Sequence, residues 1–382
     1  MYPERGGKVE KQPQGYGAFL PSPLPPKDPK LIMDPELVRL LSDADRAVAE
    51  LKGAARTLPN PDLFVAMYVR KEAVLSSQIE GTQSSLDDVL RAEARIADHG
   101  GRTDVGEVLN YISALNHGLQ LLEELPVSGR LMRSIHERLM QDVRGGDKRP
   151  GEYRNGQVHI GPAGAGLTEA TFVPPPWQHV PDAMADLERF INDDSEFPPL
   201  IRIGLAHSQF ETVHPFHDGN GRTGRLLITF LLCKERLLDR PVLYLSHFLK
   251  AHRNEYYEAL QGTRNNGDYE GWLKFFLRGV AKVALQAANV AASIGDLRER
   301  HRTAIAEHYP RASKNAFALL DQLFLLPLIR VSTAAERLGM TQAGAGNLVG
   351  QFVELGILRE ITGYGRNRVF DYAAYRSIFD DL

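Results

Sequence analysis

From Pro35 to His308 apolar residues recur at intervals of three and four, and one stretch, GEYRNGQVHIGPAGAGLTEATFVPPP (151–176), breaks that period. The period marks helices from Pro35 to about Ala55, from Pro61 to Glu80, and near 83–98, 104–123, 127–142 and 178–193. Past the island it resumes at about 198–213, 222–237, 245–264 and 268–308. Asp62 and Gly81 read as the start and stop of the second helix. Within the island, Asn155-Gly156 followed by the alternating Val158 and Ile160 reads as a β-hairpin. Such a chain is mainly α, with one β interruption.

The two ends differ from the middle. Residues 1–34, with GYGAFLPSPLPPKDP, are rich in Pro and Gly and read as an extended arm. Tyr16, Phe19, Leu20 and Leu24 give that arm apolar groups with which to lie against the body. At the other end, helices at 313–325, 331–338 and 341–355 precede GILREITGYGRNRVFDY (356–372), two strands around a Gly-rich turn. Three helices and a hairpin make the pattern of a winged helix. A length of 382 residues has room for two or three domains. We divide it as 1–100 (arm and first helices), 101–308 (core) and 309–382 (winged helix).

Charge and composition exclude several classes. A net charge of −3 gives no overall basic footprint for nucleic acid or an acidic membrane surface. The first residues lack the apolar run of a secretory signal and no stretch approaches a membrane span, so the expected location is cytoplasmic. The single cysteine, Cys233, lies within the apolar run LLITFLLC and reads as a buried structural thiol.

Against this background residues 214–225, HPFHDGNGRTGR, stand out. They fall in the turn between two good helices, LIRIGLAHSQFETV and RLLITFLLCKERLL, and their glycine-rich half feeds the second. A helix N-terminus offers unpaired N–H groups and a positive dipole, a natural seat for phosphate. Gly219, Gly221 and Gly224 remove side chains that would hold phosphate off the backbone. Arg222 and Arg225 can present planar forks to phosphate oxygens. Asp218 supplies the hard oxygen that Mg²⁺ takes when it also bridges phosphates. His214, outside the cradle, can accept a proton from an incoming nucleophile. Taken singly, each residue is as well explained by an ordinary turn; the joint pattern is not.

The stretch resembles the signature of the Fic family, H-x-F-x-[DE]-G-N-G-R-x-x-R, at every fixed position: His214, Phe216, Asp218, Gly219, Asn220, Gly221, Arg222 and Arg225. Fic proteins are mostly helical enzymes that move the AMP part of ATP onto a Ser, Thr or Tyr hydroxyl of a target protein. The resemblance implies a Fic helical core with a β-hairpin flap. It makes His214 the general base, Asp218 the Mg²⁺ ligand, and Asn220 with the glycines the phosphate cradle. Arg222 and Arg225 would bind the outer phosphates, with Thr223 in the same nucleotide-binding turn. Phe216 is expected to be a core anchor, and His217 fills a variable position without an assigned role.

A second stretch, SSQIEG (76–81), resembles the family's inhibitory motif [ST]-x-x-x-E-[GN] through Ser76, Glu80 and Gly81. Glu80 closes a helix, where the dipole disfavours a negative charge by roughly 0.3–1 kcal/mol. Ser76, four residues earlier, shares its face and could steady the carboxylate. The resemblance pairs Glu80 with Arg225, which then cannot hold the γ-phosphate. In some relatives the same glutamate helps to remove AMP, so the reverse reaction belongs to this reading.

The hairpin at 154–173 matches the flap that holds a target segment by strand-like pairing, though an ordinary connecting hairpin would look the same. In AHRNEYYEALQ (251–261) the resemblance puts Tyr256 or Tyr257 in the nucleotide site, Tyr257 being preferred; core packing is the alternative. The motif does not fix the donor, since relatives use UTP, GTP or CDP-choline or transfer phosphate. Family members also pair through their helical domains, which makes a homodimer an expected arrangement. The rival reading is a DNA-binding regulator using the Fic core as a nucleotide sensor. The third tail helix, TQAGAGNLVGQFVEL, has no Lys or Arg, and phosphate contacts dominate DNA affinity. A packing or partner-docking module is therefore favoured.

Overall fold

A computed structural model describes residues 2–58, 61–94, 104–162, 164–193, 196–310 and 313–380. The chain opens with a helical turn α1 (Pro3–Gly6) and a hairpin of β1 (Gly7–Lys11) and β2 (Gly17–Pro21), then becomes helical. There follow α2 (Pro35–Thr57), α3 (Pro61–Ile79), α4 (Leu86–Glu93), α5 (Val105–Leu121) and α6 (Gly129–Leu139). After the island come α7 (Val180–Asn192), α8 (Pro199–Val213), α9 (Asn220–Lys234), α10 (Ser246–Ala251), α11 (Arg253–Asn266) and α12 (Tyr269–His308). The tail holds α13 (Ser313–Leu325), β3 (Leu328–Arg330), α14 (Val331–Leu338), α15 (Gln342–Glu354), β4 (Arg359–Glu360), β5 (Val369–Asp371) and α16 (Ala373–Arg376).

Local sequence explains the frame. Pro35 opens α2 and the Asp34 side chain accepts from the Leu37 N–H at 2.8 Å, a conventional N-cap. Its buried stripe, Leu37, Leu40, Ala44, Ala47, Leu51 and Ala55, packs along α12, whose facing side is rich in alanine. Small side chains let these two long helices approach closely. Helices α8 and α9 are buried on nearly all sides, so the turn that joins them is held at the centre of the core. One apolar core runs from Leu31 to Phe379. No helix among the described residues is long and apolar enough to cross a membrane.

The structure amends several expectations. The arm is not simply extended: residues 7–21 form a hairpin that lies against the island. Among its described residues the island has no regular strand, only an isolated antiparallel bridge, Ile160 to Phe172. Asn155-Gly156 does not turn a hairpin; Asn155 Oδ1 instead meets His217 Nε2 at 3.0 Å. Helix α3 begins at Pro61, so Asp62 falls within it, its side chain outside the described residues. Helix α4 starts only at Leu86, behind a capping box of Ser85 and Asp88. The remainder of the 83–98 expectation, residues 95–98, lies outside the described residues. The expected 245–264 helix breaks at His252 into α10 and α11.

In the tail, β3 was not anticipated, being a three-residue strand too short to carry a pattern. It joins an antiparallel sheet of order β3-β5-β4. The tail also rests on the early helices. Lys71 donates to the Phe379 carbonyl at 3.0 Å, and Arg376 meets Asp87 at 2.9 Å.

Candidate active site

The turn from α8 to α9 is built by its own residues. His214 ends α8 in the left-handed region at φ 49°. Gly219 opens α9 at φ 73°, where a Cβ would lie 2.7 Å from Met140 Sδ. Asn220 closes the turn: its Oδ1 accepts from the Phe216 N–H and its Nδ2 donates to the Phe216 carbonyl, both at 2.8 Å. Phe216 is fully buried and stacks on the His136 ring at 3.7 Å. His136 Nδ1 accepts from the Gly151 N–H, so its Nε2–H donates to the Asp218 carbonyl at 3.0 Å. Burial pushes the His136 pKa down to about 4, consistent with that neutral tautomer.

On the other side Arg154 is buried and acts as a pin. It donates to the carbonyls of His214 at 2.9 Å and Pro175 at 2.5 Å. Its own N–H donates to the Pro215 carbonyl. The island is thereby tied to the turn. Neither His136 nor Arg154 stands out in the sequence, because each acts on backbone atoms far away in the chain.

A cavity of about 480 Å³ opens over this turn and is lined by Glu80, Glu211, His214, Gly221, Arg225 and Tyr257, with the island on one wall. Hollows of about 560 and 580 Å³ lie beside Cys233 and beside His117. Neither brings together a base, an arginine and a helix N-terminus. His214 is half-buried, and its Nδ1 is sequestered without a hydrogen-bond partner of good geometry. Burial, with the charges of Arg264 and Arg154, pushes its pKa down to about 4, so the imidazole is neutral at pH 7. Tyr257 is 39% exposed with Arg253 stacked on its ring, whereas Tyr256 is buried and hydrogen-bonds His207 Nε2 at 2.9 Å. Both tyrosines line the cavity, and Tyr257 is the more exposed of the two.

Arg225 is almost wholly occupied. Its Nη2 donates to Glu80 Oε1 at 2.7 Å and to the Ser76 carbonyl at 2.9 Å, and its Nε donates to Ser76 Oγ at 2.8 Å. Burial works to raise the Glu80 pKa, but the charge and hydrogen bond of Arg225 outweigh it and hold the carboxyl below its usual range. The carboxylate lies over the start of α9, where a Cβ on Gly221 would come 2.1 Å from Oε1. Ser76 steadies the arginine and not, as its spacing suggested, the glutamate. Gly81 follows at φ 97°, which lets the chain turn sharply after Glu80.

Four residues of the 214–225 stretch, two of them fixed positions of the signature, face away from the cavity. Arg222 Nη1 meets Glu107 Oε2 at 2.9 Å in a pair with both side chains under 5% exposed. Thr223 is buried and donates to the Gly219 carbonyl. Gly224 packs against Glu211, its missing Cβ 2.4 Å from Oε1. Asn220 serves the turn, as above. The two-fork expectation thus reduces in this conformation to Arg225. Asp218 stands at the edge, about a third exposed, with Oδ1 accepting from the Gly219 N–H at 2.7 Å and Lys148 Nζ 3.1 Å from Oδ2.

A residue that sequence reasoning missed is Glu211, buried on the cavity wall with Oε1 unpartnered. Burial pushes its pKa up to about 7, against the pull of Arg225. Beneath Arg225 a second buried acid, Glu72, accepts from Tyr111 Oη at 3.1 Å and from the Ser246 hydroxyl. Its pKa is likewise pushed by burial to about 7. Cys233 is half-buried and unbridged, and burial pushes its thiol up to about 12.

Comparison with known proteins agrees with this architecture. A family model described as Fic/DOC family N-terminal matches residues 38–120, and one described as Fic/DOC family matches residues 126–232. Protein adenylyltransferase Fic of Drosophila yakuba is 29% identical over 238 residues, 61% of this chain and 43% of that protein. Its Drosophila melanogaster counterpart is 29% identical over 61% of this chain and 44% of its own length. The chain therefore spans less than half the length of the curated relatives it matches. A Fic family protein from Desulfovibrio desulfuricans G20 shares the fold at a TM-score of 0.58 and 19% identity, covering 90% of this chain and 97% of that one. Fic-1 of C. elegans does so at 0.51 and 24%, covering 70% and 75%. With the two family matches meeting at the cavity, through Glu80 from one and His214 to Arg225 from the other, the chain belongs to the Fic/DOC family.

Proposed function

We propose that this chain transfers the AMP part of ATP to a Ser, Thr or Tyr hydroxyl of a target protein, and that Glu80 holds the reaction in check. The observation that carries this reading is one cavity in which a neutral His214, the open N-terminus of α9 at Gly221, and Arg225 bound by Glu80 face one another. The Drosophila relatives bear the matching name, protein adenylyltransferase.

In-line attack at the α-phosphorus forms one P–O bond, breaks another and releases pyrophosphate, so it needs alignment and charge neutralisation more than covalent catalysis. The neutral imidazole of His214 takes the proton of the attacking hydroxyl. The N–H groups at Gly221 and the Arg225 fork receive phosphate oxygens once Glu80 withdraws. Tyr257 borders the nucleotide. Asp218 fits one position of a Mg²⁺ site, because its Oδ2 is engaged only by the half-exposed Lys148 ammonium. The ion would neutralise charge on the phosphates. No group of three or more potential ligand side chains gathers among the described residues, so phosphate oxygens and water would complete the shell.

The island at 154–173 serves in this reading as the flap that presents the target. The three-part division 1–100, 101–308 and 309–382, the cytoplasmic location and a homodimer are parts of the same proposal. For the tail we favour a winged-helix packing or docking module: α15 carries no Lys or Arg, and the tail is held by Lys71 and Asp87. A DNA-binding role draws no support from those contacts.

The test is His214→Ala in the chain freed by Glu80→Gly. A positioned base contributes typically ~10²–10⁴-fold, so transfer should fall by that factor while ATP binding persists. Undiminished transfer would remove His214 from the mechanism.

A further inference from the structure

The N-terminal hairpin has no part in the cradle, yet it is bound to the body with more care than a loose arm requires. Arg5 is buried and makes a bidentate pair with Glu270, at 2.9 and 2.8 Å, and a third bond to the Gly267 carbonyl at 3.2 Å. Gly6 lies against α11, where a Cβ would stand 2.3 Å from the Thr263 carbonyl oxygen. The Tyr2 N–H donates to the Asn266 carbonyl at 2.8 Å. These contacts fix where β2 runs.

Strand β2 is aimed at the flap. The Phe19 N–H donates to the Val173 carbonyl at 2.9 Å, and the Phe19 ring packs on Phe172 at 5.9 Å. Tyr16, Ala18 and Val173 form a small apolar cluster of their own. On its opposite edge, segment 172–173 pairs with Ile160: the Ile160 N–H donates to the Phe172 carbonyl at 2.8 Å, and the Phe172 N–H returns the bond at 3.0 Å. The layer therefore runs β1, β2, 172–173, 160. Phe172 in turn carries Arg264 on its ring at 3.8 Å, and Arg264 donates to the Glu211 carbonyl, three residues before His214.

We propose that the N-terminal hairpin is a built-in partner strand of the flap, which positions the target segment relative to His214. The proposal rests on the transferase reading above. With β2 occupying the inner edge of 172–173, the edge left for an incoming strand is the outer side of 159–161. In a narrow antiparallel pair at Ile160, the backbone groups of His159 and Gly161 point away from Phe172. Both residues are exposed and both line the cavity. The partner is an extended protein segment that pairs with this edge and delivers its hydroxyl to the imidazole. Phe19 and Arg5 are positioning residues, acting through Phe172 and through the seat of the hairpin.

The test uses the full chain carrying Glu80→Gly, alone and with Phe19→Ala, Phe19→Leu or Arg5→Ala. Three quantities are read: automodification from labelled ATP, the Kd of a fluorescent ATP analogue, and amide exchange at residues 160 and 172. A displacement of about 1 Å at a reacting group can cost ~10²-fold, so Phe19→Ala and Arg5→Ala should lower transfer by about tenfold or more. Nucleotide Kd should stay within about twofold, exchange at 160 and 172 should speed up, and Phe19→Leu should recover part of the rate. Unchanged transfer, unchanged exchange, or a parallel loss of nucleotide binding would each overturn the proposal. Failure of the Glu80→Gly parent to transfer anything would instead sink the transferase reading on which it stands.

Discussion

Replacing Glu80 by glycine tests the proposed inhibition separately from stability. The substitution removes the 2.7 Å bond to Arg225 and leaves that guanidinium, 2% exposed, with only Ser76. Removing one partner of a fully buried pair costs about 3–5 kcal/mol, but Glu80 is 32% exposed and solvent screens it. With two bonds to Ser76 retained, a loss of roughly 1–3 kcal/mol is the reasonable scale. At ~2.1 cal/mol/K per residue, a chain of 382 residues has an unfolding entropy near ~0.8 kcal/mol/K, so Tm should fall by only about 1–4 °C. The proposed inhibition predicts a functional effect of the opposite sign. ATP no longer has to displace a charge-assisted hydrogen bond of about 1.5–3 kcal/mol before Arg225 can take a phosphate. That difference corresponds to a roughly 10–150-fold gain in productive binding. The assay is initial-rate automodification at sub-saturating ATP beside a thermal melt of the same sample. A lower Tm without a gain in transfer would refute the reasoning, since Glu80 would then be a structural anchor alone.

The buried ion pair of Arg222 makes a contrasting prediction: Arg222→Ala leaves buried Glu107 facing the exposed Arg144 at 3.7 Å, should cost up to about 3–5 kcal/mol, and should lower Tm by up to about 4–6 °C in a melt. The pH profile of kcat/KM should show no limb from His214 between pH 6 and 8, because its pKa of about 4 leaves it deprotonated throughout. An acid limb near 6.5 that disappears with the His214 variant would contradict this. Glu72 has its pKa raised from 4.5 to about 7, so the native state binds the extra proton and wild-type stability falls as pH rises through that window. The stability of Glu72→Gln relative to wild type should therefore improve from pH 4.5 to 7 and level off above, as denaturant titrations would show; a flat difference would refute it.

The readable parts of this chain were those written in local pattern. Three- and four-residue apolar spacing located the helices because their buried faces, as in α2 and α12, are continuous stripes. The signature was legible because its residue types are rare in combination, and its turn was placed correctly between α8 and α9. What escaped was set by distant partners. Asn220 and Asn155 carry turn-forming chemistry that the sequence assigns to phosphate or to a hairpin, while the fold spends them on Phe216 and His217. Arg222 looked like a phosphate ligand until Glu107, more than a hundred positions earlier, claimed it. Glu211 and Glu72 carry no local signal, since nothing near them in the sequence says that their faces are buried. The partnership of β2 with Val173 joins segments about 150 residues apart, and no spacing rule reaches so far.

The central claim is that the AMP moiety is what leaves this cavity on protein. The direct measurement is to incubate the Glu80→Gly chain with ATP labelled on either the α- or the γ-phosphorus and count label retained on the protein. Transfer of AMP predicts retention from α-labelled ATP only. Retention from γ-labelled ATP, or from neither, would contradict it.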